Sequence, residues 1–255
     1  MFYRFLICGR ALLTVAIVMA AVLISITTSL ASTSAQFANV APLPGDGVAI
    51  DSSGNIDSQG AFQINIPVAY TPRWGFLDLP VYNGHHPGGD QKGDFGNGTG
   101  FLGAGFGSHR ALFISAMQTS HVFSEAKVIS AQLSLLPETK NLPALSIGTQ
   151  DIFEREKGNR SLYGVATKQL SIGGSCIYTT LGYGGGRFQH SFFGGLCAPA
   201  GDQFSITAEY DGYQFNTGMG WRPGGKKGWA TVLVGYNGHA GMVAGIGTAF
   251  DFTKR

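Results

Sequence analysis

Charge is scarce in this chain. Only 13% of its 255 residues are Asp, Glu, Lys or Arg, about half the share of an ordinary soluble domain, which fits a chain whose outer wall must stay uncharged. Catalytic patterns are also missing. There is no Gly-x-Ser-x-Gly elbow, and His109, His121, His190 and His239 are scattered over separate segments, so no base is held beside a hydroxyl nucleophile. Gly103-Ala104-Gly105-Phe106-Gly107 lacks both the Gly-x-Gly-x-x-Gly spacing and a following helix, which excludes a phosphate-cradling loop. No convincing amphipathic helix is present. The chain therefore reads as a non-enzyme without a cofactor. Nor is a metal expected. Adjacent His85 and His86 point apart on an extended loop, and Asp90, Asp94 and Asn97 do not follow a calcium-loop spacing.

What is present begins with an export pattern. Residues 1–10 hold Arg4 and Arg10 and no acid, an apolar run follows over 11–26, and small residues give cleavage points before Ser32 or before Gln36. This is the layout of a secretory signal peptide over 1–35; the alternative is a retained anchor, since the run nears the lower limit of a spanning helix. Without 1–35, 15 of the 17 basic side chains remain against 15 acids, so nothing suggests a nucleic-acid partner. Residues 36–60, rich in Pro, Gly, Ser and Asp, read as an irregular periplasmic lead-in.

From Ala61 onward strands dominate. Phe204, Ile206, Ala208 and Tyr210 alternate with Ser205, Thr207, Glu209 and Asp211, so one face is apolar and the other polar. A two-residue turn at Gly212-Tyr213 would set Tyr210 opposite Phe215, Ala208 opposite Thr217, Ile206 opposite Met219 and Phe204 opposite Trp221. Both strands then agree on their apolar side, as strands between lipid and a wet lumen require. Twelve strand-like segments can be marked, at 61–70, 100–107, 110–118, 126–136, 142–151, 161–170, 174–183, 188–197, 203–211, 214–222, 228–236 and 242–252. Most approach the ~9 to 11 residues of a membrane-crossing strand. The expected fold is all-β, an antiparallel up-and-down transmembrane barrel over 61–255. Pro80 to Thr99 is the obvious external loop. Ala111 to Met117 and Ala230 to Val234 are apolar on both faces, which suits a packed core as well. The 39 glycines far exceed the usual ~7%; at inward strand positions they let a barrel curve and leave room in its lumen, or they mark turns in a secreted sandwich.

The polar side of the hairpin supplies the candidate site. Glu209, Asp211, Gln214, Asn216 and Arg222 are expected to line the lumen and touch whatever passes, by binding sugar hydroxyls or biasing ions. Glu209 and Asp211 share a face and could also be a glycosidase pair. Folding about Gly186-Arg187 would put Cys176 opposite Cys197, giving a cross-strand disulfide or, in a register shifted by a residue or two, two free thiols. Cys8 leaves with the signal peptide.

The block from Leu135 to Phe153 (Leu-Leu-Pro-Glu-Thr-Lys-Asn-Leu-Pro-Ala-Leu-Ser-Ile-Gly-Thr-Gln-Asp-Ile-Phe), with Leu162-Tyr163-Gly164-Val165-Ala166-Thr167-Lys168 and Ala208-Glu209-Tyr210-Asp211-Gly212, resembles outer-membrane barrels of the YjbH type, associated with exopolysaccharide production, and uncharacterised barrel-like proteins of cyanobacteria. YjbH-type chains are much longer. The resemblance implies an outer-membrane address, contact with lipid and the barrel-insertion machinery, and a role as a small passive pore or scaffold alongside polysaccharide or export proteins; it supplies no catalytic residues. A monomer is the default. Barrels usually end on an aromatic residue, whereas here Phe252 is followed by Thr253-Lys254-Arg255. The rival readings are a secreted β-sandwich carbohydrate binder and a barrel hydrolase acting on lipid or glycan through His109 or Glu209.

Overall fold

The structure, a computed structural model of the chain, describes residues 43–45, 47–72, 75–83, 98–106, 112–119, 127–153, 160–238 and 241–250. The expected signal peptide with Cys8, residues 36–42, His85, His86, Asp90, Asp94, Asn97, His109, His121, His239 and residues 251–255 lie outside them.

The strands are β1 (Gly75–Asn83), β2 (Gly98–Phe106), β3 (Leu112–Thr119), β4 (Lys127–Leu136), β5 (Ala144–Gln150), β6 (Ser161–Ile172), β7 (Ser175–Gly184), β8 (Ser191–Ala200), β9 (Phe204–Tyr210), β10 (Phe215–Trp221), β11 (Ala230–Asn237) and β12 (Gly241–Phe250). The nine from β4 to β12 form one antiparallel up-and-down sheet, each strand paired with the next. On the far side of β4 the backbone pairing continues through β3, β2 and β1. β1 also pairs with β12, from Phe76↔Phe250 to Asn83↔Val243. Among the described residues there is no α-helix, only the 3-10 turns Gly186–Phe188 and Gly225–Lys227.

Alternation sorts the side chains onto two faces. From β4 to β12 the inner face holds Gln132, Ser146, Thr167, Thr180, Thr207 and Asn216, all buried. The outer face holds large apolar groups, with Leu162 exposed by 69% and Phe192 by 65%. The β9–β10 hairpin has the register read from its sequence: Tyr210↔Phe215, Ala208↔Thr217, Ile206↔Met219 and Phe204↔Trp221. Gly212 opens its turn at φ +105, a backbone region where a Cβ is strained.

What fills the inner face corrects the sequence reading. Residues 61–70 are not a strand. They make only isolated backbone contacts, such as the Ile50↔Ala61 bridge and the backbone bonds of Gln63 to Gly45 and Gly47, and otherwise lie irregularly against the inside of the sheet, with Phe62, Ile64, Ile66 and Val68 fully buried. Their alternation is real, but Pro67 removes a backbone donor from the middle of the run, which disfavours a ladder there. The first strand instead begins at Gly75, so residues 80–83, expected in a loop, belong to β1. The described part of the lead-in, from Leu43 onward, is irregular as expected, yet Leu43, Val48 and Ile50 pack into the same core.

Of the two readings of Cys176 and Cys197, the structure has the shifted register with free thiols and not the direct opposition. Cys197 faces Tyr178 and Cys176 faces Ser171, and both thiols are free. Gly184 pairs with Ser191, so the hairpin is centred one residue later than Gly186-Arg187 and the register moves by two. The cause is the loop 185–190: a 3-10 turn followed by Gln189 and His190 at positive φ tucks Arg187 and Phe188 inward.

Candidate functional site

The inner face and the segment 43–72 meet through two kinds of contact, steric and polar. The steric one depends on glycine. A Cβ added to Gly218 or Gly235 would lie 2.4 or 2.8 Å from Ile64 Cδ1, one on Gly195 would lie 2.7 Å from Gln63 Oε1, and one on Gly220 would lie 3.2 Å from the Phe62 ring. These inward glycines leave room, as the composition suggested, but the room holds side chains of the segment itself.

Polar contacts satisfy the irregular backbone. Buried N–H and C=O groups outside a ladder must find partners, and here side chains of the strands provide them. The Ile64 N–H donates to Glu209 Oε2 at 2.9 Å and the Ala69 N–H to Thr167 Oγ1 at 2.8 Å. In the other direction, Gln132 Nε2 donates to Val68 O at 3.0 Å, Ser146 Oγ to Ala69 O at 2.7 Å, Ser205 Oγ to Ser58 O at 2.8 Å and Tyr178 OH to Gln59 O at 2.7 Å.

Four of the five expected lumen residues gather at one end of the sheet. Asn216 Nδ2 donates to Glu209 Oε1 (3.1 Å) and to Asp211 Oδ2 (2.8 Å), bridging the two carboxylates. Asp211 Oδ2 also accepts from Asn65 Nδ2 at 2.9 Å, and Gln214 Nε2 donates to Asn237 Oδ1 at 3.4 Å. Burial pushes the Asp211 carboxyl above its usual range, against the opposing pull of Asn216, Arg187 and Asn65. Arg222 is elsewhere. It is buried at the opposite rim, where it donates to Gly225 O at 3.1 Å, to Thr231 Oγ1 at 3.2 Å and to Gly228 O, fixing the 222–229 turn. Glu209, Asp211 and Asn216 thus face inward, where the sequence reading put them, but they hold Ile64 and Asn65.

Several residues of the site carry no signal in the sequence. Arg187, read as a turn residue, donates to Asn65 Oδ1 and to Gln150 Oε1 (3.1 Å), while its backbone N–H donates to Ser161 Oγ (2.7 Å). At the rim shared by turns 137–143, 201–203 and 222–229, Tyr70 OH donates to Glu138, which also pairs with Lys168 Nζ at 2.9 Å. There Asp57 pairs with Lys226 Nζ at 2.8 Å, and Ser58 Oγ donates to Asp202 O at 2.7 Å. Pro67 and Pro72 were the available hints that this segment is no strand. No group of three or more His, Cys, Asp or Glu side chains that could hold a metal occurs among the described residues.

No protein-family model matches the chain, and no curated protein matches it significantly.

Proposed function

We propose that this chain is a closed twelve-stranded β-barrel of a bacterial outer membrane, shut by its own residues 43–72, which serves envelope polysaccharide export as a gated pore or scaffold. One observation carries the membrane reading: the polarity of the two faces. Among the described outward positions from β5 to β12 the only charge is Lys168, and it sits at a rim, where its ammonium reaches Glu138 and the turn carbonyls of Lys140 and Leu142. Aromatic pairs mark both ends of this band. Phe204 stacks on Trp221 at 6.3 Å near one rim, while Tyr210–Phe215 (5.1 Å) and Tyr183–Phe192 (5.2 Å) lie near the other, as girdles do at lipid–water interfaces. The pairing of β1 with β12 supports closure, which lipid demands because an open edge would leave backbone groups unpaired. An even strand count lets the first strand begin and the last strand end at the same rim of the barrel.

The outward apolar face weighs against a secreted sandwich, which would bury it. The filled interior weighs against an always-open passive pore. The polysaccharide link rests on the resemblance of the three sequence blocks alone. Lipid, the barrel-insertion machinery and export proteins are the partners this reading requires, with a monomer as the default. The test is the purified full chain in detergent and in planar bilayers. Faster gel migration before boiling, with insertion but no steady current, is the expected result; a chain soluble without detergent would sink the reading.

A further inference from the structure

We propose that the inner wall of β6–β10 is a binding surface for a neutral saccharide chain, and that segment 43–72 occupies it as a built-in stand-in; this rests on the barrel reading above. Two chemically different strips lie side by side on that wall. The first is aromatic. Tyr178 lies near the 201–203 rim, where its hydroxyl meets Gln59. Tyr163 and Phe193 follow with centroids 6.4 Å apart, and Phe188 stands 5.8 Å from Tyr163 at the other end. All four rings are buried on the inner side, and the segment sets its own Tyr70 ring edge-on against Tyr178 at 6.0 Å.

The second strip is polar and runs along β9 and β10 from one rim to the other. Ser205 donates to Ser58 O, Thr207 donates to Gln63 Oε1 at 2.6 Å, Glu209 accepts from the Ile64 N–H, and Asp211 accepts from Asn65 Nδ2. Two donors followed by two acceptors therefore line up beside a row of rings. A pyranose chain has the complementary layout, with apolar C–H faces that lie on aromatic rings and edges of hydroxyls that both donate and accept. Once the segment is displaced and water reaches them, Glu209 and Asp211 ionise, and ionised carboxylates only accept, so they favour hydroxyl donors and repel an anionic polymer. This selects neutral hexose chains over uronate chains.

The test uses the full chain in planar bilayers. Ile64→Asp places a carboxylate where Ile64 fills the notch over Gly218 and Gly235, beside Glu209, and should unseat the segment and open a current. Cellohexaose should then interrupt that current, hexagalacturonate should not, and adding Tyr178→Ala should weaken the cellohexaose block about tenfold. Equal block by both probes, no block by either, or a block indifferent to Tyr178→Ala overturns the proposal. If Ile64→Asp fails to fold, Gly218→Leu opens the barrel instead. If neither variant conducts, calorimetric titration of cellohexaose into both in detergent decides: binding lost with Tyr178→Ala upholds the site, and absence of binding overturns it. A chain that never enters bilayers removes the barrel reading and the proposal together, an outcome distinct from an open channel that ignores sugar.

Discussion

Gly218 shows how a single missing methyl group can register a partner distant in sequence. A side chain there would stand 2.4 Å from Ile64 Cδ1, closer than real contacts allow, although valine is intrinsically the better strand former. Gly218→Val should therefore destabilise the folded chain by about 1 to 3 kcal/mol through overpacking. Adding Ile64→Ala empties the space and should return most of that loss, so urea unfolding of the four members of the cycle should give a coupling of about 0.5 to 3 kcal/mol. Additive effects would mean that the segment does not sit on Gly218. Asp211 tests the polar side of the same contact. Its carboxyl is raised above the usual range, first by burial, so the protonated form is favoured when the segment is seated. That contribution is complete below the ordinary Asp value near 4 and is lost as pH rises through the raised value. Glu209, Arg187 and Tyr213 surround it, but Asp211→Asn should by itself flatten the rise in protease sensitivity of residues 58–72 as pH increases above about 4. An identical pH profile in the variant would remove Asp211 from the seating.

Among the elements, the segment 43–72 is held at its two ends by unlike contacts. At the 137–143 rim, Tyr70 OH reaches Glu138, which also accepts from the Gln169 N–H at 3.1 Å and pairs with Lys168; burial and Glu138 both push the Tyr70 hydroxyl up, so it stays a donor. Tyr70→Phe should speed amide exchange at Val68 and Ala69 by several-fold, in line with a net hydrogen bond of about 1 kcal/mol, whereas Lys226→Ala, at an exposed ammonium, should leave exchange unchanged. Equal effects would mean that the rim contacts do not hold the segment. The same segment marks the limit of what sequence made legible. The β9–β10 register could be read because period-two alternation and a glycine turn agree on it, and residues from 100 onward were assigned to strands on the same logic. Residues 61–70 share that alternation, so local pattern alone could not separate a strand from an irregular stretch buried against side chains far along the chain; only Pro67 argued otherwise. Glu209, Asp211 and Asn216 were legible as inward-facing, but their partners Ile64, Asn65 and Arg187 come from contacts more than a hundred residues apart or from a loop that turns inward. The direct cysteine opposition failed for a related reason. A register drawn by symmetry cannot anticipate two non-glycine residues, Gln189 and His190, at positive φ.

For the molecule as a whole, the decisive property is that the sheet wears its hydrocarbon outside. Stability should then respond to charge in opposite ways in two solvents. Leu196 lies on the outer face of β8, 47% exposed, between the rims marked by the Phe204–Trp221 and Tyr210–Phe215 pairs. β8 itself spans ten residues, roughly 33 Å at ~3.3 Å per residue and so about 25 Å tall at a barrel tilt of about 40°, matching the ~25 Å apolar band of known outer-membrane barrels. An arginine at 196 would sit near the middle of that band, so Leu196→Arg should cost about 2 to 4 kcal/mol in bilayers. A water-exposed leucine carries no such penalty, and surface substitutions there stay within about 0.5 kcal/mol. Folding into phosphocholine vesicles, followed by gel migration across a urea series, measures the difference directly. Trp229, 69% exposed in the turn 222–229, supplies the internal control: Trp229→Arg lies beyond the band, where the cost falls to about 0 to 1 kcal/mol. A chain that tolerates arginine equally at both positions has no hydrocarbon band around it, and the outward leucines would then need another cover.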